Sequence, residues 1–169
     1  MEPVFVEPTT PLPSRAAVFL SYLDYFRSRL TDKVRRLGPG EAWRSRLPSG
    51  WTPAELMHHL RHVERRWLEW GFLGQDVEDP WADRVDDRWQ VSPGLGLEEL
   101  AAALQAQGER TTEIVQAAAL DQIGCPGPRW EGAPPPTLER ILLHLVQEYA
   151  RHLGHLDVVS ELAGAGVGE

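Results

Sequence analysis

The chain has 169 residues, 42 % of them hydrophobic, and a net charge of −8 from 25 acidic and 17 basic residues. No basic block is present to meet a phosphate backbone, which excludes nucleic acid as a partner. No apolar run approaches the length of about 18 residues that a membrane span needs, and a single cysteine, Cys125, excludes an intrachain disulfide.

This size predicts one globular domain over residues 1–169, with an N-terminal extension over 1–13 and a frayed tail over 163–169. The opening MEPVFVEPTTPLPS carries acids and prolines rather than a basic segment and an apolar one, so it does not read as a signal peptide. Together with the lone cysteine, that points to the cytoplasm.

The first periodic segment runs from Arg15 to Leu37, with Leu20, Leu23, Phe26, Leu30, Val34 and Leu37 at three- and four-residue steps. Gly38-Pro39-Gly40 is expected to stop it. A second helix starts at Thr52: threonine is a good N-cap, Pro53 suits the first helical position, and Glu55 completes a capping box. Its stripe is Leu56, Leu60, Val63, Trp67 and Trp70, reaching about Phe72.

The connection over 73–96 is long and acidic, with Asp76, Glu78, Asp79, Asp83, Asp86 and Asp87 against Arg84 and Arg88. It lacks the pattern of a calcium loop and reads as a solvated crossover pinned by Trp81 and Trp89, or as a loop closing over a pocket. A third helix over Leu97–Ala119 has Leu100, Leu104, Ile114 and Val115 on its core face, diluted by Gln107 and Thr111. The fourth follows Pro134-Pro135-Pro136, with Thr137 as N-cap, and continues to Leu162. No segment alternates as a strand does. Four amphipathic helices define an all-α fold, a four-helix bundle.

All six histidines lie at positions 58–62 and 144–155. At about 100° per residue, His59 lies about 60° from the centre of the second helix's stripe, His62 about 120°, and His58 nearly opposite, facing water. His58 and His62, four apart, could chelate a metal on the outside. On the fourth helix, with its stripe of Leu138, Leu145, Tyr149, Leu153 and Leu156, His152 lies within about 40° of the centre. Glu148 is four residues earlier on the same side, and His144 and His155 are nearer the flank.

The deepest polar residues are therefore His59, Glu148 and His152. A buried carboxylate must be paired or metal-bound. Either these three hold a divalent metal, leaving positions open for water or substrate, or Glu148 pairs with Arg151 or Arg140 while the histidines bond within the bundle. The H-E-x-x-H motif and the paired E-x-x-H helices of di-iron bundles are absent.

The stretch LLHLVQEYARHLGHLDVVSEL (Leu142–Leu162) resembles the last helix of the DinB-like superfamily of metal-binding four-helix bundles. It is most similar to the branch around mycothiol-dependent maleylpyruvate isomerase. SGWTPAELMHHLRHVERRWLEW (Ser49–Trp70) resembles that family's second helix. The resemblance implies His59, Glu148 and His152 as the metal ligands, with zinc favoured by the donor set and nickel or iron compatible with it. His155 stands where many relatives have glutamine. With His144 and His62, it is expected to support a ligand from behind or to replace one.

The resemblance further implies a homodimer that uses a low-molecular-weight thiol, mycothiol, on a small electrophilic molecule, for S-transfer or isomerisation. Three other readings fit the same residues: a metal-stabilised bundle that binds a ligand without turning it over, a metal-free structural bundle, and a hydrolase using metal-bound water. Cys125, in a Gly/Pro-rich loop without a nearby histidine, reads as incidental.

Overall fold

The computed structural model describes residues 7–165, so positions 1–6 of the N-terminal extension and 166–169 of the expected tail lie outside the described residues. Four helices account for most of it: α1 (Arg15–Ala42), α2 (Pro53–Arg65), α3 (Leu97–Ala117) and α4 (Leu138–Leu162). They pack side by side around one apolar core, to which Leu30 and Val34 of α1, Leu56 and Leu60 of α2, Leu104 of α3, and Leu138, Leu145 and Leu156 of α4 contribute.

The local signals explain the element ends. Thr52 Oγ1 accepts from the Glu55 N–H at 3.2 Å while Glu55 Oε2 accepts from the Thr52 N–H at 2.7 Å, a reciprocal capping box. Ser14 and Thr137 cap α1 and α4 in the same sense. The chain does break at Gly38, which sits at φ 72°. However, it resumes helically from Pro39 to Ala42, because proline is compatible with a first turn.

At the other end Gly164 takes φ 74°, and the N–H groups of Gly164 and Ala165 reach back to Glu161 O and Ser160 O. That is a Schellman closure of α4 over residues 163–165.

Beyond Arg65 the second helix continues as a π-helical segment over Arg66–Phe72, in which Leu73 N–H bonds Leu68 O at 2.9 Å. The wider turn brings Arg66 to the inside, where it is buried. The same segment carries Gly71, where a Cβ would lie 2.8 Å from the Trp130 ring, so the missing side chain lets that indole pack against the helix.

The segment joining α2 to α3 differs from a plain solvated crossover. It contains a two-residue hairpin, β1 (Arg84–Val85) paired antiparallel to β2 (Arg88–Trp89), where the sequence predicts no strand. It also turns Asp83 fully inward. Trp81 stays 40 % exposed beneath the guanidinium of Arg66, and Trp89 is the anchor that reaches the bundle. Among the described residues no helix is long and apolar enough to cross a membrane.

Candidate metal centre

The donor atoms of His59 on α2 and of Glu148 and His152 on α4 lie within 4.8 Å of one another. The i,i+4 spacing puts both α4 side chains on one face, with His152 Nε2 at 3.3 Å from Glu148 Oε2. Two ligands about 2.05 Å from a tetrahedral cation stand about 3.3 Å apart, so this pair is already at ligand spacing. The His59 and His152 rings meet edge to face, 5.3 Å between centroids.

Protonation suits the same purpose. Burial pushes the His59 imidazole below its ordinary value, and the hydrogen bond to Asp83 only partly offsets this, so the ring is neutral at pH 7. The hydrogen bond from His152 holds the Glu148 carboxyl below the usual range against its own partial desolvation. The Nδ1 of His152 is buried without a partner among the described residues, and its Nε2 faces Glu148. Two imidazoles and one carboxylate are a donor set that fits a borderline divalent cation.

Asp83 is the participant that sequence reasoning missed. Its carboxylate can only accept, so the 2.8 Å contact with His59 fixes the proton on Nδ1 and leaves Nε2 as the donor atom. Burial opposes the charge on Asp83, but hydrogen bonds from His59 and Arg66 hold the group well below the usual carboxylate range. Arg66 Nη1 donates to Oδ1 at 2.5 Å and also to Pro80 O at 3.1 Å, tying the connection to the π-helical turn. Trp89 stacks 4.2 Å over the His59 ring and lies 5.3 Å from His152, shielding both from water. The Asp83→Asn protein is expected to bind metal about 10–100-fold more weakly, and a competitive chelator titration measures it.

The remaining histidines separate. His144 is half-buried, its Nε2 3.5 Å from Glu148 Oε1, so it flanks the cluster. The ring of His155 is exposed and lies 5.8 Å from that of His152. Glu148 pairs with the imidazoles of His144 and His152, and among the described residues with neither Arg151 nor Arg140.

His58 and His62 correct the sequence reading: they are 5 % and 2 % exposed, not a pair on the outside. The single-stripe wheel fails because α2 is covered by α1, α3 and α4, and its remaining side by the hairpin. Their rings pack 4.5 Å apart, and both nitrogens of His58 and Nδ1 of His62 lack partners among the described residues.

Burial, with neighbouring His58, lowers the pKa of His62 to about 3. The unfolded chain then binds the proton that the folded one refuses, so stability falls as pH drops below about 6.5. At pH 5 the loss from His62 alone is about 2 kcal/mol. Urea titrations at pH 7 and pH 5 test this, with a shallower pH dependence expected in His62→Gln.

Next to the cluster, Glu64 of α2 is fully buried and accepts from Arg27 Nε and Nη2 at 2.8 and 3.0 Å. The hydroxyls of Thr111 and Tyr149 donate to it as well, each at 2.5 Å. Thr111 and Gln107 thus do not dilute the face of α3. They are buried polar partners, Gln107 donating to Glu69 Oε1 at 2.9 Å. Because Tyr149 follows Glu148, this network sets the height and rotation of α4 at the cluster. Cys125 is exposed, in a loop held by its N–H to Phe72 O.

Four helices in this arrangement, with a His–Glu–His cluster between the second and the fourth, define a DinB-like bundle. The family model described as mycothiol S-transferase matches residues 18–164, and the chain belongs to that family. No curated protein and no solved structure matches it at significance.

Proposed function

We propose that this protein is a divalent-metal-dependent S-transferase that joins mycothiol to a small electrophile, with His59, Glu148 and His152 as the metal ligands. The observation that carries the reading is the convergence of those three donors to within 4.8 Å in a chain of the mycothiol S-transferase family. Zinc suits the donor set best, and nickel or iron is compatible with it. The reading extends to a cytoplasmic homodimer.

A divalent cation held there supplies the positive charge that lowers the pKa of a thiol beside it. The rest is the work of the chain. Asp83 and Arg66 hold His59 in one tautomer and orientation. Trp89 excludes water from the two imidazoles, which strengthens the electrostatic interactions beneath it. Tyr149, anchored on Glu64, fixes the helix that carries the other two ligands. In this transfer the thiol proton leaves to solvent and sulfur attacks carbon directly.

The test follows free mycothiol in the presence of 1-chloro-2,4-dinitrobenzene with zinc-loaded and chelator-stripped protein. Thiol loss that needs both protein and metal is the expected result. Thiol left unconsumed while metal is bound would contradict the reading and favour a bundle that binds without turnover.

A further inference from the structure

Beside the cluster, on the side of His144, lies a cavity of about 460 Å³ between the π-helical end of the second helix and the first turns of α4. Trp67 and Trp130 form one wall, their ring centroids 6.0 Å apart, and Ile141 contributes an apolar surface. The wall is braced: Arg129 stacks 4.2 Å over Trp67, the Trp130 indole N–H donates to Cys125 O at 2.8 Å, and Gly71 makes room for that indole.

Three polar side chains line this groove: Arg140, His144 and Gln147. His144 stands 4.5 Å from the Trp67 ring and 3.5 Å from Glu148 Oε1, so this lining residue also touches the carboxylate of the cluster. Arg140 lines the groove as well, exposed, and no carboxylate pairs with it among the described residues. Arg140 and His144 are four residues apart on α4, on one face of the helix, so both border the same groove.

We propose that this groove is the electrophile subsite and that it takes a planar aromatic molecule carrying an anionic group. The ring lies against Trp67 and Trp130, the anion meets Arg140, and the reactive carbon points past His144 to the cluster. The assignment rests on the S-transferase reading for its chemistry and on the groove alone for its selectivity. Indole walls reward flat apolar bodies, and an unpaired guanidinium at the rim rewards a carboxylate with a two-point contact.

The test uses 4-chloro-3-nitrobenzoate and its uncharged amide, which differ only in the anion. With these, the thiolate sulfur bonds to the ring carbon bearing chlorine, the C–Cl bond breaks, and chloride leaves with the electron pair. Binding is read first, without thiol, as quenching of tryptophan fluorescence in zinc-loaded protein, and turnover is then read with mycothiol. The benzoate is expected to bind at least about tenfold more tightly than the amide, with Arg140→Gln removing that preference and raising KM for the benzoate while leaving kcat unchanged. Trp67→Leu is expected to weaken both ligands equally.

Equal binding of the two ligands by the wild type, or a preference that survives in Arg140→Gln, overturns the proposal. Arg140 is exposed, so its replacement does not threaten the fold, and unchanged circular dichroism checks this. A preference lost in Arg140→Gln with no consumption of mycothiol upholds the groove and overturns the S-transferase reading.

Discussion

Replacing Glu64 with alanine is expected to lower the stability of the protein by about 3–5 kcal/mol, the largest effect of any single substitution here. The side chain is fully buried and accepts four hydrogen bonds, two from Arg27 and one each from Thr111 and Tyr149. Each of the four helices supplies one member. Removing the carboxylate leaves the Arg27 guanidinium, 5 % exposed, with the exposed Asp24 as its remaining carboxylate partner among the described residues, and strands two hydroxyls in the core.

The cost comes from the broken set rather than from a large net contribution of the intact one. The double variant Arg27→Met/Glu64→Leu is therefore expected to recover much of the loss, because both charges leave together. Urea unfolding of the single and double variants measures the difference. A Glu64→Ala protein within about 1 kcal/mol of the wild type would show that the network does not hold the helices together.

The second large effect is on metal binding. His152→Ala removes one of three proposed ligands from the rigid α4 face, and affinity is expected to fall by more than the 10–100-fold typical of losing a supporting hydrogen bond. Turnover of mycothiol should fall with it. His59→Ala should act the same way from the opposite helix, since the two rings converge from α2 and α4. Stability should change less than in Glu64→Ala, because neither ring is part of the Arg27–Glu64 set. Stoichiometric zinc in either variant would place the ligands elsewhere.

The sequence made the trio legible because helical periodicity is regular: His59 sits at the edge of one stripe, and Glu148 and His152 share one side of another. The capping box at Thr52 and the N-cap at Thr137 were legible for the same reason, since each depends only on residues within one turn. What could not be read is set by long-range packing. Asp83 is one of six acids in the connection and looks no different from Asp86 or Asp87, yet it alone of the six is buried, and it orients His59.

Glu64 did carry a signal, since it follows Leu60 by four residues on the core stripe, but residue type alone suggests a solvated side chain. His58 and His62 were misplaced because a single-stripe wheel assumes one wet face, and the hairpin around Trp89 removes it. The break at Gly38 was foreseen and the extra turn to Ala42 was not, because proline permits a new helix start as readily as it ends an old one.

The most direct test of the account is the metal content of the protein purified without an affinity tag, measured by elemental analysis after equilibration with zinc. About one equivalent per chain is expected in the wild type, lost from His59→Ala and His152→Ala and weakened in Asp83→Asn. A folded wild-type protein that holds no zinc, nickel or iron would contradict it and return His59, Glu148 and His152 to the role of hydrogen-bonded core residues.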